Sequence, residues 1–80
     1  MIDLALMEKF KQDAAITLEV EAGQLTREIH LKQDLNISST KRFMLMADIE
    51  ELFDVSINYG QVKECDTFGD LLDLIDSSIE

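Results

Sequence analysis

Two adjacent hydroxyls, Ser38 and Ser39, stand where a polar turn gives way to a helical pattern, and they are the residues of this sequence best placed for chemistry. The run is Asp-Leu-Asn-Ile-Ser-Ser-Thr-Lys-Arg-Phe-Met-Leu-Met-Ala-Asp-Ile-Glu-Glu-Leu-Phe-Asp, from Asp34 to Asp54. Ile37 closes the turn, and Leu45, Met46, Ile49, Leu52 and Phe53 then recur at helical spacing. A helix start leaves backbone N–H groups without partners, so one serine caps them while the next leaves its hydroxyl free. Ser38 is read as the cap and Ser39 as the exposed hydroxyl, with Ser38 the second choice as the modified residue.

What such a hydroxyl could do is limited by its company. There is no glycine-rich phosphate loop, no base placed near Ser39 by spacing, no Cys–His pair and no metal-ligand spacing. His30 is isolated and Cys65 is the single cysteine, read as a buried free thiol. The chain is therefore read as a non-enzyme, without a metal, whose serine is acted upon by a separate enzyme.

The elements that position this serine follow from periodicity. Residues Ile2, Leu6, Met7, Phe10, Ala14 and Leu18 step along one face of a first helix running from Ile2 to about Leu18. Periodicity is then lost from Glu19 to Ile37, a long loop for which Leu25, Leu31 and Leu35 are the expected anchors. The second helix is expected from about Ser39 to Phe53. Val55, Ile57 and Tyr59 alternate with polar residues and read as an extended connector before a short helical turn around Gln61 to Glu64. Thr67 with Asp70 resembles a capping box and opens a last helix whose inner face is Phe68, Leu71, Leu72, Ile75 and Ile79. The expected fold is all-α: a small four-helix bundle of three major helices and one short one, in a single domain over residues 1–80.

Charge narrows the partners. Seventeen acids against seven bases give a net charge of −10 over 80 residues, yet 46% of the chain is apolar, which favours a folded helical domain over an acidic tail. From residue 43 onward Lys63 is the lone base, so the second half would repel phosphate backbones and steer towards basic protein surfaces. Nucleic acid is disfavoured as a partner. No run reaches the ~20 apolar residues of a membrane span, and no basic leader opens the sequence, so the expectation is a cytoplasmic, monomeric protein.

The order of residues across Asp34 to Asp54 resembles the segment of acyl carrier proteins that bears the phosphopantetheine arm, usually Asp-Leu-Gly-x-Asp-Ser-Leu and then a helix ending in Glu-Glu-x-Phe. Asp34, Leu35, Ser39, Leu45, Glu50, Glu51, Phe53 and Asp54 fall in register with it. Val20-Glu-Ala-Gly-Gln-Leu-Thr is similar to the family's way into the loop, and Thr67-Phe-Gly-Asp-Leu-Leu-Asp-Leu-Ile to its closing helix, so the likeness spans roughly Leu6 to Ile75. It departs at Asn36 (Gly in the family), Ser38 (Asp), Thr40 (Leu) and Lys41-Arg42 (an acid).

The resemblance implies that a phosphopantetheinyl transferase attaches the arm from coenzyme A to Ser39, and that an acyl group rides on it as a thioester. Fatty acid, polyketide or related biosynthesis is the implied setting. Leu45, Met46, Ile49, Val62 and Leu71 would line an acyl pocket. Lys41, Arg42, Asp48, Glu50, Glu51 and Asp54 would form the surface offered to acyl-loading and acyl-transfer enzymes with basic patches. The alternative is an unmodified carrier-fold interaction module or adaptor that acts through the same acidic helix surface.

Overall fold

The computed structural model describes residues 3–79, and the expected helix start at Ile2 lies outside them. Among the described residues four helices follow in order, α1 (Leu4–Leu18), α2 (Ser39–Phe53), α3 (Tyr59–Lys63) and α4 (Phe68–Ser78), with a 3-10 turn at Ala22–Gln24. Each helix begins with a side-chain oxygen accepting from the backbone: Asp3 from Ala5, Ser38 from Lys41, Asn58 from Gln61 and Thr67 from Asp70. Among the described residues no helix is long and apolar enough to cross a membrane.

The all-α expectation holds, and α2 has the expected bounds. The short helix differs: it begins at Tyr59 rather than near Gln61. The reason is a capping box in which Asn58 Oδ1 accepts from Gln61 N and Gln61 Oε1 accepts from Asn58 N. Tyr59 thus leaves the alternating connector and becomes the first residue of a helix.

The core is built from one stripe of each helix. Phe10 of α1 stacks on Phe68 of α4 at 5.9 Å and meets Phe53 of α2 edge-on at 6.0 Å. Around this trio Leu45, Ile49, Val62, Leu71 and Ile75 are fully buried. Leu25 and Leu31 anchor the long loop in the same core as expected, while Leu35 is only half-buried and Ile37 is buried beside them.

That loop is also held by its backbone, against the start of α4. Gly69 N donates to Arg27 O, Phe68 N to Ile29 O, and Leu31 N to Asp66 O, at 2.8–3.0 Å. Two of the N–H groups that a helix start leaves open are thereby satisfied by loop carbonyls. Asp70 accepts from the N–H groups of Asp66 and Thr67, and the Thr67 bond above all holds its carboxyl below the usual carboxylate range.

The contact is close enough to require glycine at residue 69, because a Cβ there would stand 2.8 Å from Arg27 O. Gly69→Ala is expected to destabilise the fold by about 1–3 kcal/mol as the loop is forced off the helix. Urea unfolding checks this, and an unchanged midpoint would show that the loop is not docked as described.

Candidate modification site

Ser38 and Ser39 take the different positions expected of them. Ser38 is extended, with φ −84° and ψ 166°, and its Oγ accepts from Lys41 N at 3.2 Å. Ser39 is the first residue of α2 and is exposed. An oxyanion bound there would face the positive end of a fifteen-residue helix, the arrangement that favours phosphate. Asn36, where the resembled pattern has Gly, has φ 50°, a left-handed conformation that asparagine tolerates better than most side chains.

The two basic residues behind Ser39 do not form the exposed pair expected of them. Lys41 is half-buried and its Nζ reaches back to Glu19 Oε2 at the end of α1, 3.2 Å away. Arg42 departs furthest from the expected surface: it is 9% exposed and turned inward. Its Nη1 donates to Val62 O at 2.9 Å, which also accepts from Cys65 N, and to Cys65 O at 3.0 Å, where the chain leaves the C-terminal end of α3. Its place in the register explains this, since Arg42, Leu45, Ile49 and Phe53 are the buried stripe of α2. The spacing was visible in the sequence, but the charge hid it.

The acids expected to form the partner surface divide between two sides of α2. Asp48 and Glu51 face α1 beside Asp13 and Lys9, around an open groove of about 410 Å³. Asp48 accepts from Thr17 Oγ1 at 3.2 Å, and partial burial, with Asp13 and Glu51 nearby, raises its carboxyl above the usual range. Glu50 accepts from Ile57 N at 3.2 Å, and Asp54 ends the helix with φ 53°. Glu51 and Asp54 are exposed, whereas Asp48 and Glu50 are half-buried.

Of the residues expected to line an acyl pocket, Leu45, Ile49, Val62 and Leu71 are fully buried in the shared core, and Met46 packs at its edge. An unexpected aromatic pair lies nearer the surface. Phe43, one turn past Ser39 and 49% exposed, stacks on Tyr59 with ring centroids 4.0 Å apart and planes 9° from parallel. This partnership was invisible in the sequence because Tyr59 read as part of an extended connector.

Cys65 is buried, as expected, and its Sγ donates to Gln61 O at 3.4 Å. Burial above all pushes its thiol up to about 11. Among the described residues there is no group of three or more His, Cys, Asp or Glu side chains that could hold a metal ion.

Two measurements check this geometry. Arg42→Ala should lower stability by about 1–3 kcal/mol as the carbonyls of Val62 and Cys65 lose their guanidinium donor, whereas Lys41→Ala should lower it by less than about 1 kcal/mol. Equal urea midpoints for the two variants would contradict the buried placement of Arg42. Cys65 should alkylate at about pH 8 roughly 100-fold more slowly than the urea-unfolded chain. Because its folded pKa is raised, the thiol's contribution to stability is complete below the unfolded value of 9.0 and is lost as pH rises towards about 11. Equal alkylation rates for folded and unfolded chain would contradict the burial.

No family model matches the chain. It is similar to the acyl carrier protein of Porphyromonas gingivalis, in two strains, at 36% identity over 63 residues, covering 79% of this chain and 81% of that protein. It is similar also to the acyl carrier protein of Coprothermobacter proteolyticus, at 27% identity over 74 residues, covering 92% of this chain and 90% of that one. With its four-helix fold and a capped serine opening α2, the chain belongs to the acyl carrier protein family and serves as an acyl carrier.

Proposed function

We propose that Ser39 is the attachment point of a phosphopantetheine arm supplied by coenzyme A, and that this domain, over residues 1–80, is a carrier whose chemistry belongs to its partners. The observation that carries the reading is the division of labour between neighbours: Ser38 Oγ is committed to Lys41 N, while Ser39 stands exposed on the next residue. When bound, the group supplies a terminal thiol on which an acyl chain is held as a thioester.

The chain's own residues do the rest by placement. Ser39 Oγ presents a nucleophile to a phosphopantetheinyl transferase, which takes its proton as the oxygen attacks the pantetheine-side phosphorus of coenzyme A, the pyrophosphate bridge breaks and adenosine 3′,5′-bisphosphate leaves. The phosphodiester that results is stabilised by the N-terminus of α2 rather than by nearby cations, because Lys41 is drawn to Glu19 and Arg42 faces inward. Glu51 and Asp54, exposed on α2, suit basic patches on acyl-loading and acyl-transfer enzymes. Such partners fit a monomeric carrier of the cytoplasm, in fatty acid or related biosynthesis.

Intact-mass measurement after incubation with coenzyme A, magnesium and phosphopantetheinyl transferases of broad and matched specificity tests this. The wild-type chain should gain a single arm and Ser39→Ala none. Ser38→Ala should still gain it, at a stability cost of about 1 kcal/mol for the lost cap. Persistence of the arm in Ser39→Ala would overturn the assignment.

A further inference from the structure

The seam between α2, which opens at Ser39, and α3 is fastened at both ends of α3 by consecutive residues of α2. At the end of α3, Arg42 Nη1 donates to Val62 O and Cys65 O. At its start, the Phe43 ring lies flat on Tyr59. Arg42 and Phe43 stand three and four residues after Ser39, which on a helix makes them its nearest neighbours on the same side. An alkyl chain tethered at Ser39 could reach Leu45, Ile49 and Val62 through this seam only by parting the aromatic stack or displacing a buried guanidinium from both carbonyls.

We propose that Arg42 and the Phe43–Tyr59 pair form a clasp that keeps the α2–α3 seam shut, so that this carrier holds its cargo in solvent and is specific for short or polar acyl groups. The proposal rests on Ser39 as the attachment point and adds a determinant of cargo class. Its physical basis is that the seam offers a long alkyl chain a hydrogen-bonded charge, where a carrier that buries such a chain needs an apolar lining. A short or polar acyl group gains little from burial and loses nothing by staying outside, since the hydrophobic gain scales with the methylenes removed from water. Arg42 acts here as a specificity-determining residue, and Phe43 with Tyr59 as the outer half of the same barrier.

The test loads the protein with acetyl, butyryl, hexanoyl and octanoyl arms from the corresponding coenzyme A thioesters. It follows the Val62 and Leu71 amide resonances and the rate of thioester cleavage by hydroxylamine. In the wild-type protein the resonances should not move with chain length and cleavage rates should agree within about twofold. In Phe43→Ala, and in Arg42→Met if it folds, octanoyl should shift both resonances and cleave at least about fivefold more slowly than acetyl.

Alkyl chains joined through a disulfide to Ser39→Cys, in a Cys65→Ala background, give the same resonance test without a transferase. A chain that refuses enzymatic loading therefore sinks the assignment of Ser39, while the conjugates still decide the clasp. Length-dependent shifts or protection in the wild-type protein would overturn the clasp, as would variants that remain as indifferent to chain length as the wild type.

Discussion

The guanidinium of Arg42, buried and held by the carbonyls of Val62 and Cys65, is the interaction through which most of the other elements are connected. A five-residue helix such as α3 is far too short to persist alone, and its terminal carbonyls need a donor. Arg42 supplies one from the first turns of α2. The chain then runs directly from Cys65 to Asp66, whose carbonyl accepts from Leu31 and whose N–H reaches Asp70. The start of α2, the end of α3, the long loop and the start of α4 are thus joined in one continuous set of hydrogen bonds. A charge at this position is tolerated because it is hydrogen-bonded and sits against the negative end of a helix.

Presentation of Ser39 depends on the same arrangement. An amide-rich helix start could be capped by any of several groups, but here Ser38 does it, Ile37 is buried just before it, and Arg42 ties the first turn down from within. The hydroxyl that follows the cap is left facing outward on a rigid element. The covalent tether of a carrier works by keeping a reactive group at high local concentration around partner sites, so a fixed point of attachment is what the fold has to provide. The acids of α2 lie on two sides of the helix; Asp48 is engaged with Thr17 and Glu50 with the Ile57 N–H, which leaves Glu51 and Asp54 as the freer charges.

Much of this was legible in the residues alone. The bounds of α2 and the opening of α4 followed from caps joined to helical periodicity, signals that lie within a few residues of each other. The short helix was displaced because Val55, Ile57 and Tyr59 alternate like a strand, and the Asn58 and Gln61 box that starts α3 was the weaker signal. By its charge Arg42 reads as outward although it occupies the register of Leu45, Ile49 and Phe53; only the approach of the Val62 and Cys65 carbonyls reveals why it turns in. The docking of the loop on α4 has no sequence signature beyond Gly69, because it is made by backbone groups far apart in the chain. The Phe43–Tyr59 stack likewise joins residues on separate helices, and neither residue alone points to the other.

A cap at Ser38 and an anchor at Arg42 leave Ser39 as the residue proposed to bear the arm. A crystal structure of the arm-loaded protein tests it most directly. The phosphodiester should stand on Ser39 Oγ, with Ser38 Oγ still accepting from Lys41 N and Arg42 still on the carbonyls of Val62 and Cys65. A phosphate on Ser38 Oγ, or Arg42 swung outward to meet it, would contradict this assignment.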